Sequence, residues 1–588
     1  MERTNLKQFI LDANPNWTSL VTAAICGASA VVLSLKWIGH QRIQKKMLKA
    51  RDKRDAALHQ AEQAVLQFKK LNPGLETTPI TTLSLNELTK RLSDGSLRPD
   101  SVLYAYLEKT LEVNKKLNCC TEILMECQEQ LADTEAHRDK LLYGVPVSIK
   151  ENLDYKGHDS SCGVLCKLEE PALMDSVVVT VLKRQGAIPF VKTNVPQGLL
   201  NYDCSNPIFG QTLNPHNPKK TSGGSSGGEG ALIGGGGSIL GLGTDIGGSI
   251  RIPSSFCGIC GFKPTSGRIS LRGARSCAPG QKSVCSSLGP MARDVDSLAL
   301  CMRALLCEDM FSLDPTVPPV PFNQQVYQSS ERLRIGYYEN DGYLQPSPSM
   351  ARALRETKAL LERAGHTLVP FKPPQLFTVM HELVVKGLLA DGASTLLSHL
   401  KGGPVDPCLR PQTVPYSLPT FIKKILNVLL KPVFPRMAAS MKALCGVGSV
   451  SELWRQTKDT EEYIHNLIAE WRKLELDVLL CPMLGPAYNF SYCGKLTSAL
   501  SYTIFYNLLN FPAGVVPVSV VTEEDEAELT QYRGNFGDVW DKLFPQAVRD
   551  SVGMPVAVQC VSLPWQDELC LRLMREVEQL TRDQRNTQ

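Results

Sequence analysis

The first long apolar stretch of the chain runs from Trp17 to Leu35 and holds no charged residue. As a helix it would span roughly 28 Å, which matches the hydrocarbon core of one bilayer. A cleaved signal peptide is the alternative, because Ala28-Ser-Ala30 could serve as a cleavage site. The apolar run continues past that point through Val31-Val-Leu33, however, which favours a membrane anchor.

Basic residues are more frequent after this stretch than before it. Arg3 and Lys7 precede it, whereas the following basic residues come soon after it: Lys36, Arg42, Lys45, Lys46, Lys49, Arg51, Lys53 and Arg54. Because positive charge is retained on the cytosolic side of a membrane, the C-terminal side of the anchor should face the cytosol. The pattern therefore predicts a single-pass protein whose remaining chain is cytosolic.

Beyond the anchor, helical and strand-like hydrophobic patterns alternate. Apolar residues at helical spacing predict an amphipathic helix from Asp52 to Leu71, and Ser84-Leu-Asn-Glu87 is a capping box that begins another. Further helices are predicted at Pro99–Asn118, Ser176–Arg184 and Ser349–Ala364, and strands at Tyr143–Ile149, Ala187–Val191 and Arg332–Tyr338. This alternation predicts an α/β sheet covered by helices on both faces.

The segment from Pro411 to Ser451 contains no acidic residue. Its apolar run between Lys424 and Lys431 is too short to cross a bilayer. Lysines next to apolar side chains are typical of a helix-turn-helix that lies in the membrane interface. From the residues alone, a helix buried against the core with solvated lysines is an equally open alternative.

The composition is that of an ordinary globular protein, with 588 residues, 43% of them hydrophobic and 21% charged, and a net charge of +4. This balance argues against a dedicated nucleic-acid-binding protein. The cysteines are spread along the chain, and Cys257-Gly-Ile-Cys260 lacks a second pair that would complete a zinc site. Buried free thiols in a reducing cytosol are therefore expected. The proline-rich run Pro315–Phe322 is predicted to be a surface loop rather than a ligand for an SH3-type domain.

The region from Lys220 to Gly267 holds 16 glycines in 48 residues, with hydroxyl side chains between them. Backbone N–H groups that converge in such a region can bind a phosphate or a developing oxyanion. Neither the P-loop nor the dinucleotide-binding pattern is present. Gly223-Gly-Ser-Ser-Gly227 fits the nucleophile elbow of α/β-hydrolases, but loop residues precede it where a strand is required. His381-Glu382 lacks the second histidine of a zinc protease.

Two serine motifs remain, Gly223-Gly-Ser-Ser-Gly-Gly228 and Gly243-Thr-Asp-Ile-Gly-Gly-Ser-Ile-Arg-Ile-Pro253, together with Gly144-Val-Pro-Val-Ser-Ile-Lys-Glu-Asn152 upstream. In these motifs the chain resembles the amidase-signature serine hydrolases, which use a Ser-Ser-Lys triad. The resemblance covers roughly residues 80 to 580. It implies one large α/β domain with a mixed, twisted β-sheet covered by helices, in addition to the N-terminal transmembrane helix.

The resemblance also implies a role for individual residues. Ser249 would be the nucleophile, Ser225 the bridging hydroxyl and Lys150 the base. Burial must depress the pKa of this lysine so that its amine is neutral. The substrate-binding residues implied are Leu199 and Ser225 together with the backbone N–H groups of Ile246, Gly247, Gly248 and Ser249, which would receive the oxyanion. Leu200 and Tyr202 would line an acyl channel, and Asp245 and Arg251 would support the loop. No metal or cofactor is expected.

Because of the anchor and the interfacial segment, the chain is most similar to the membrane-bound branch of the family that hydrolyses fatty acid amides. The expected substrates are N-acylethanolamines, primary fatty amides and related esters. The expected organisation is an anchor segment at 1–38, a basic amphipathic helix and linker at 39–80, a catalytic domain at 81–580 with a membrane-binding cap at 418–446, and a polar tail at 581–588. A homodimer in the endoplasmic reticulum or Golgi membrane, with membrane lipid as a partner, is implied.

Two other functions stay open at this stage. The first is another amidase of the same family, which acts on small amides or as an amidotransferase subunit. The second is a membrane-tethered scaffold with an inactive amidase fold. The intact Lys150, Ser225 and Ser249 argue against the scaffold.

Overall fold

A mixed sheet of 11 strands runs through the chain. The computed structural model describes residues 17–587. The strands are β1 Cys120–Ile123, β2 Pro146–Lys150, β3 Ile188–Thr193, β4 Ser205–Asn206, β5 Gly210–Gln211, β6 Leu240–Asp245, β7 Cys260–Lys263, β8 Ser287–Ala292, β9 Arg334–Tyr337, β10 Thr367–Pro370, β11 Val478–Pro482, β12 Ala513–Val520 and β13 Pro555–Ser562. The strands of the large sheet lie in the order β1-β3-β2-β6-β8-β7-β12-β13-β11-β9-β10, and the short pair β4 and β5 forms a separate two-stranded sheet.

Helices pack on this sheet and extend away from it. They are α1 Trp17–Leu71, α2 Thr78–Thr81, α3 Leu85–Ser93, α4 Pro99–Leu117, α5 Cys127–Thr134, α6 Val177–Arg184, α7 Gly227–Gly234, α8 Arg251–Cys257, α9 Val295–Leu305, α10 Glu308–Leu313, α11 Gln324–Gln328, α12 Pro348–Arg363, α13 Leu376–Thr378, α14 Lys386–Leu388, α15 Ser394–Leu400, α16 Arg410–Ser417, α17 Thr420–Leu430, α18 Pro435–Ala443, α19 Val450–Lys473, α20 Ser501–Leu508, α21 Glu523–Glu528, α22 Val539–Val548 and α23 Asp567–Thr587. A π-helical turn, Val379–Val385, joins α13 to α14.

Strand β2 lies in the interior of the sheet and is paired in parallel with β3 on one side and β6 on the other. All five of its residues are buried, as expected for a strand covered on both faces. Lys150 is its last residue, directly opposite Thr193 of β3. The predicted α/β architecture is therefore confirmed, and the carboxyl ends of three adjacent parallel strands meet beside Lys150.

Helix α1 is continuous over 55 residues, so the membrane segment and the amphipathic helix predicted after it are one element. The sequence between the two segments contains Gly39 but no proline, so nothing stops the helix. Of the helices described between residues 17 and 587, α1 is the one that is long and apolar enough to cross a membrane, and its apolar window is not buried by protein. Arg3 and Lys7 lie outside the described residues.

The second half of α1 is packed against the catalytic domain. Met47 is buried against Leu165, Leu168 and Ile208. The Arg51 guanidinium donates to the backbone oxygen of Ile208 at 2.6 Å and to that of Pro207 at 2.8 Å. The expected linker at 39–80 is thus part of the globular structure, and the helix enters that structure only a few residues after its apolar part ends.

The expected cap at 418–446 consists of α17 and α18, which pack on each other. Its exposed apolar side chains lie mainly on α17 and just after it: Phe421, Ile425, Val428, Leu429 and Val433. Residues 418–446 contain five basic residues, and two of them are buried. Lys423 donates to the backbone oxygens of Tyr416 and Leu444, and Arg436 pairs with Asp538 and Asp541. The cap therefore presents an apolar surface with fewer charges than the sequence indicates.

Three smaller expectations can be compared with the structure. Helix α23 continues to Thr587 and buries Thr581, so the polar tail expected from residue 581 is the end of a helix. Residues 315–322 form the predicted surface loop, and the backbone oxygen of Val320 accepts a hydrogen bond from Arg268. All the cysteines are free, and Cys257 and Cys260 are buried as predicted.

Replacing Arg436 should destabilise the fold, because Asp538 and Asp541 would then be buried without a cation. We expect Arg436→Met to lower the free energy of unfolding by about 3–5 kcal/mol. Lys431→Met is the matched control, since Lys431 is exposed on the same cap and should leave the stability unchanged. Thermal unfolding of both variants measures the difference. Equal melting temperatures would show that the buried ion pairs contribute nothing.

Candidate active site

Lys150 lies at the centre of a fully buried group of polar atoms. Its side-chain nitrogen is 2.7 Å from Ser225 Oγ, 2.9 Å from Thr244 Oγ1 and 3.1 Å from the backbone oxygen of Thr244. Burial lowers the pKa of Lys150 to about 7, despite the opposing influence of the Asp245 carboxylate. An amine with this pKa is about half free base at pH 7 and largely free base at mildly alkaline pH, as a general base requires.

Ser225 and Ser226 precede helix α7, in a glycine-rich turn that packs closely on neighbouring backbone. Both serines are buried. The N–H of Ser226 donates to the backbone oxygen of Ser249 at 3.0 Å, so the two serine motifs lie side by side. Ser226 Oγ donates to the Thr244 backbone oxygen at 3.4 Å. The structure thus brings Lys150, Ser225 and Ser249 into one site from three separate parts of the chain.

The loop after β6 carries Ser249 and is held by the Asp245 carboxylate. Asp245 accepts hydrogen bonds from the N–H groups of Gly248 at 2.8 Å and Ile250 at 3.0 Å. It also pairs with Arg251 at 2.9 Å, and neither side chain is exposed to solvent. Burial alone would raise the pKa of Asp245, but Arg251 and these N–H groups hold it well below its usual range. The two residues support the loop, as the sequence indicates.

Arg251 extends this support to a distant part of the chain. Its guanidinium donates to the Thr503 backbone oxygen, to Gln559 Oε1 at 2.8 Å and to Asn507 Oδ1 at 2.6 Å. Together with the bonds to Asp245, these contacts give each guanidinium nitrogen an acceptor, which a fully buried arginine requires. The loop with Ser249 is therefore fixed to strand β13 and helix α20.

The backbone N–H groups of the loop are not all available to a substrate. Within residues 17–587, those of Ile246, Gly247 and Ser249 have no acceptor, whereas the N–H of Gly248 is bonded to Asp245. In this conformation the N–H of Gly248 is therefore not free to receive an oxyanion, and the role expected for it stays a prediction. Gly248 adopts a backbone φ of +119°, which residues other than glycine rarely adopt, and a Cβ at this position would lie 2.6 Å from Thr503 Oγ1. Its role is to shape the loop.

A cavity of about 530 Å³ opens onto Ser225, Ser249 and Ile246. Its apolar walls are formed by Leu199, Leu200, Leu271, Leu388, Leu389 and Leu396. Ser249 is partly exposed to this cavity. Ser225 is buried at the edge of the cavity, and Lys150 is fully buried and does not line it. No hydrogen bond joins Ser249 Oγ to Ser225 Oγ in the described part of the chain. The nucleophile candidate therefore faces the space that a substrate would fill.

Tyr202 does not line this cavity. Its side chain is buried, its hydroxyl donates to the backbone oxygen of Leu496 at 2.7 Å, and its ring contacts that of Tyr488. The acyl-channel role expected for Tyr202 does not fit this position, because the hydroxyl points into the core. Leu199 and Leu200, a few residues earlier, do line the cavity as expected.

Sequence reasoning missed two polar neighbours of the lysine. Thr244 provides two of the three hydrogen-bond partners of Lys150, and it immediately precedes Asp245 in the motif. Glu229 is fully buried on α7, close enough to Lys150 that a negative charge on its carboxyl would raise the pKa of the lysine. The acidic residue in an otherwise apolar, glycine-rich helix was a signal that could have identified it. Among residues 17–587, no cluster of three His, Cys, Asp or Glu side chains could hold a metal ion.

Comparison with known proteins identifies the family. The sequence profile described as Amidase matches residues 101–571. The chain belongs to the amidase family. Its relatives include "Fatty-acid amide hydrolase 1" of Sus scrofa, which is 53% identical over 95% of this chain and 96% of its own length. The "Vitamin D3 hydroxylase-associated protein" of Gallus gallus is 56% identical over 75% of this chain and 96% of its own length.

The fold of this amidase is also similar to solved structures. A structure titled "Fatty acid amide hydrolase" superposes with a TM-score of 0.77, at 26% identity, over 93% of this chain and 96% of that chain. A peptide amidase from Stenotrophomonas maltophilia superposes with a TM-score of 0.61 at 20% identity, which shows a shared fold alone. Family membership agrees with the sheet and the motifs described above, and the chain is an amidase.

Proposed function

We propose that this amidase is a membrane-bound serine hydrolase that cleaves long-chain fatty acid amides, including N-acylethanolamines and primary fatty amides, through an acyl-enzyme on Ser249. The observation that carries the proposal is the contact between a buried lysine of lowered pKa and Ser225, at the end of a leucine-lined cavity that exposes Ser249. The names of its relatives support fatty acid amides as the substrate class.

The proposed proton path follows the order of burial in the site. Neutral Lys150 accepts the proton of Ser225, Ser225 accepts that of Ser249, and Ser249 Oγ attacks the amide carbon. The reverse path protonates the leaving nitrogen, which an amine needs before it can depart. The negative charge on the carbonyl oxygen would be bound by the free N–H groups of Ile246, Gly247 and Ser249. Water then hydrolyses the acyl-enzyme to release the fatty acid.

Two elements are proposed to bind the membrane independently. Helix α1 crosses the bilayer, and the apolar face of α17 lies on the cytosolic leaflet, with the exposed Lys424 and Lys431 near anionic headgroups. Lys442 is partly neutralised by Glu382. The compartment proposed is the endoplasmic reticulum or Golgi membrane, with the catalytic domain in the cytosol. The homodimer implied by the family resemblance stays a prediction.

The acyl-enzyme can be tested by covalent labelling. We expect a fluorophosphonate to modify Ser249, as detected by peptide mass spectrometry, because this serine is exposed to the cavity and activated by the relay. Ser249→Ala should lose both labelling and hydrolysis of a long-chain primary amide. Ser276→Ala is the matched control, since Ser276 lines the same cavity without touching Lys150. Labelling on Ser225 in place of Ser249 would reverse their roles, and cleavage of acetamide alone would refute the substrate class.

The rate should depend on pH through Lys150. Below its pKa of about 7 the amine is protonated and cannot act as a base, so kcat/KM for amide hydrolysis should rise with pH through this region. Lys150→Ala should lower kcat by about 10²–10⁴-fold. Lys220→Met is the control, because Lys220 is also a buried lysine of lowered pKa but donates to Arg549 and Ser551 outside the site. Retention of full activity in Lys150→Ala would exclude the lysine as the base.

Membrane binding should survive loss of the anchor. A variant lacking residues 1–38 keeps the part of α1 that packs on the domain, and it should still sediment with anionic vesicles. Adding Ile425→Asp, Leu429→Asp and Val433→Asp should release it into solution. The control adds Val320→Asp, Val520→Asp and Val552→Asp, which are exposed apolar residues outside the cap. If the truncated enzyme is already soluble and active, the cap does not bind membrane.

A further inference from the structure

Glu229 is a fully buried acidic residue in the first turn of helix α7, just after Ser225 and Ser226. One carboxyl oxygen is 2.6 Å from Ser148 Oγ, and the other is 2.8 Å from Thr193 Oγ1. A Cβ on the neighbouring Gly241 would lie 1.9 Å from this carboxyl, so the strand approaches it closely. The side chain is thus enclosed by hydroxyl groups and backbone, without access to solvent.

The two hydroxyl partners lie next to the base. Ser148 is on β2, two residues before Lys150, and Thr193 is on β3, directly opposite Lys150 in the strand register. The carboxyl of Glu229 therefore connects the helix that begins beside Ser225 to both strands that position the lysine. A change in this connection would alter the distance between Ser225 Oγ and the Lys150 nitrogen, which is 2.7 Å here.

No lysine, arginine or histidine forms an ion pair with Glu229 in the described part of the chain. The titratable groups that face it are Lys150 from β2 and the thiol of Cys120 from β1. Burial raises the pKa of Glu229 to about 8, while hydrogen bonds from Ser148 and Thr193 and the charge of Lys150 oppose this increase. A buried carboxyl without a cationic partner is more stable as the neutral acid.

The surrounding hydroxyl groups suit a protonated carboxyl. Its O–H can donate to Ser148 Oγ, which in turn can donate to Ser238 Oγ at 3.0 Å or to the Leu240 backbone oxygen at 3.3 Å. Thr193 Oγ1 donates to the other carboxyl oxygen. Every polar atom of the acid then has a partner, as a buried group requires.

We propose that Glu229 is a positioning residue of the amidase reaction that acts as a protonated acid, connecting the segment with Ser225 to the strands with Lys150. In this state Glu229 carries its own proton, and Lys150 stays a free base. The alternative arrangement would place a carboxylate and an ammonium in a region of low dielectric without direct contact, where their attraction does not offset their desolvation. This inference rests on the proposed roles of Lys150 and Ser225.

The protonation state can be tested by infrared difference spectroscopy of the full-length enzyme in vesicles. The wild type minus Glu229→Gln spectrum should show a protonated carboxylic C=O band at neutral pH, and the band should disappear as the pH passes about 8. This readout does not require activity, so it is independent of the proposed reaction. Glu578→Gln is the control, since Glu578 is a largely buried carboxyl of raised pKa on α23, away from the site. Absence of the band for Glu229 would overturn the inference.

Kinetics test the consequence for the base. Glu229→Gln is neutral at every pH, so the rise of kcat/KM with pH should occur at the same pH as in the wild type. A shift of that rise to lower pH would mean that Glu229 is ionised in the wild type and raises the pKa of Lys150, which contradicts the proposal. Glu578→Gln should change neither the rate nor its pH dependence.

The positioning role is tested by removing the carboxyl group. Glu229→Ala should lower kcat by about tenfold or more with a smaller change in KM, because the relay is displaced while the cavity is intact. Glu229→Gln, which keeps the hydrogen bonds, should recover most of this loss. Equal activity of Glu229→Ala and wild type would refute the positioning role. If the wild type itself shows no amide hydrolysis, the proposed function is refuted, but the infrared result on the protonation of Glu229 is not affected.

Discussion

The arrangement of this site depends on the desolvation of one amine. Transfer of an ammonium group from water into the protein interior is unfavourable, and a buried lysine reduces the penalty by releasing its proton. Lys150 is buried because it ends a central strand, where neighbouring strands and helices exclude water. Its partners, the Ser225 hydroxyl and both oxygens of Thr244, are uncharged, so none of them favours the protonated form strongly. The fold thereby produces a base from a residue that is ordinarily an acid.

Two acidic residues lie near this amine, and their environments differ. Asp245 is ionised, and Arg251 neutralises its charge. Backbone N–H groups donate to the carboxylate oxygens, so Asp245 fixes the loop that carries Ser249. Glu229 has only hydroxyl partners and, in the proposed state, is protonated. Neither residue therefore places an uncompensated negative charge beside Lys150. The same chemical group serves once as an anion and once as a neutral hydrogen-bond donor because its partners differ.

Local patterns predicted the local structure, and motifs predicted the site, but contacts distant in sequence were not predictable. Helix α4 was predicted to begin at Pro99, as it does, whereas the strand predicted at Tyr143–Ile149 is observed as Pro146–Lys150. Lys150, Ser225 and Ser249 were brought together by a family resemblance. The burial of Arg436 depends on Asp538 and Asp541, about a hundred residues later, and no local pattern shows them. Likewise, Gly248 was expected to donate to an oxyanion because the sequence does not show where the Asp245 oxygens lie. The position of Tyr202 was not predictable either, because an aromatic ring suits the wall of an acyl channel as well as it suits the core.

The continuity of α1 has a consequence for how substrate reaches Ser249. About 12 Å of helix separates Leu35, at the end of the apolar span, from Ile43, where packing on the domain begins. Because this helix is unbroken and docked on the domain, insertion of its apolar part into a bilayer, as proposed, would hold the domain close to the membrane surface. The turn Leu165–Lys167 packs on α1 and on α15, and α15 packs on α16 ahead of the cap. Since Leu396 and His399 of α15 also line the cavity, its wall lies between the two proposed membrane-binding elements. In the proposed membrane-bound arrangement, a long acyl chain would have only a short distance to travel between the bilayer and the cavity that exposes Ser249.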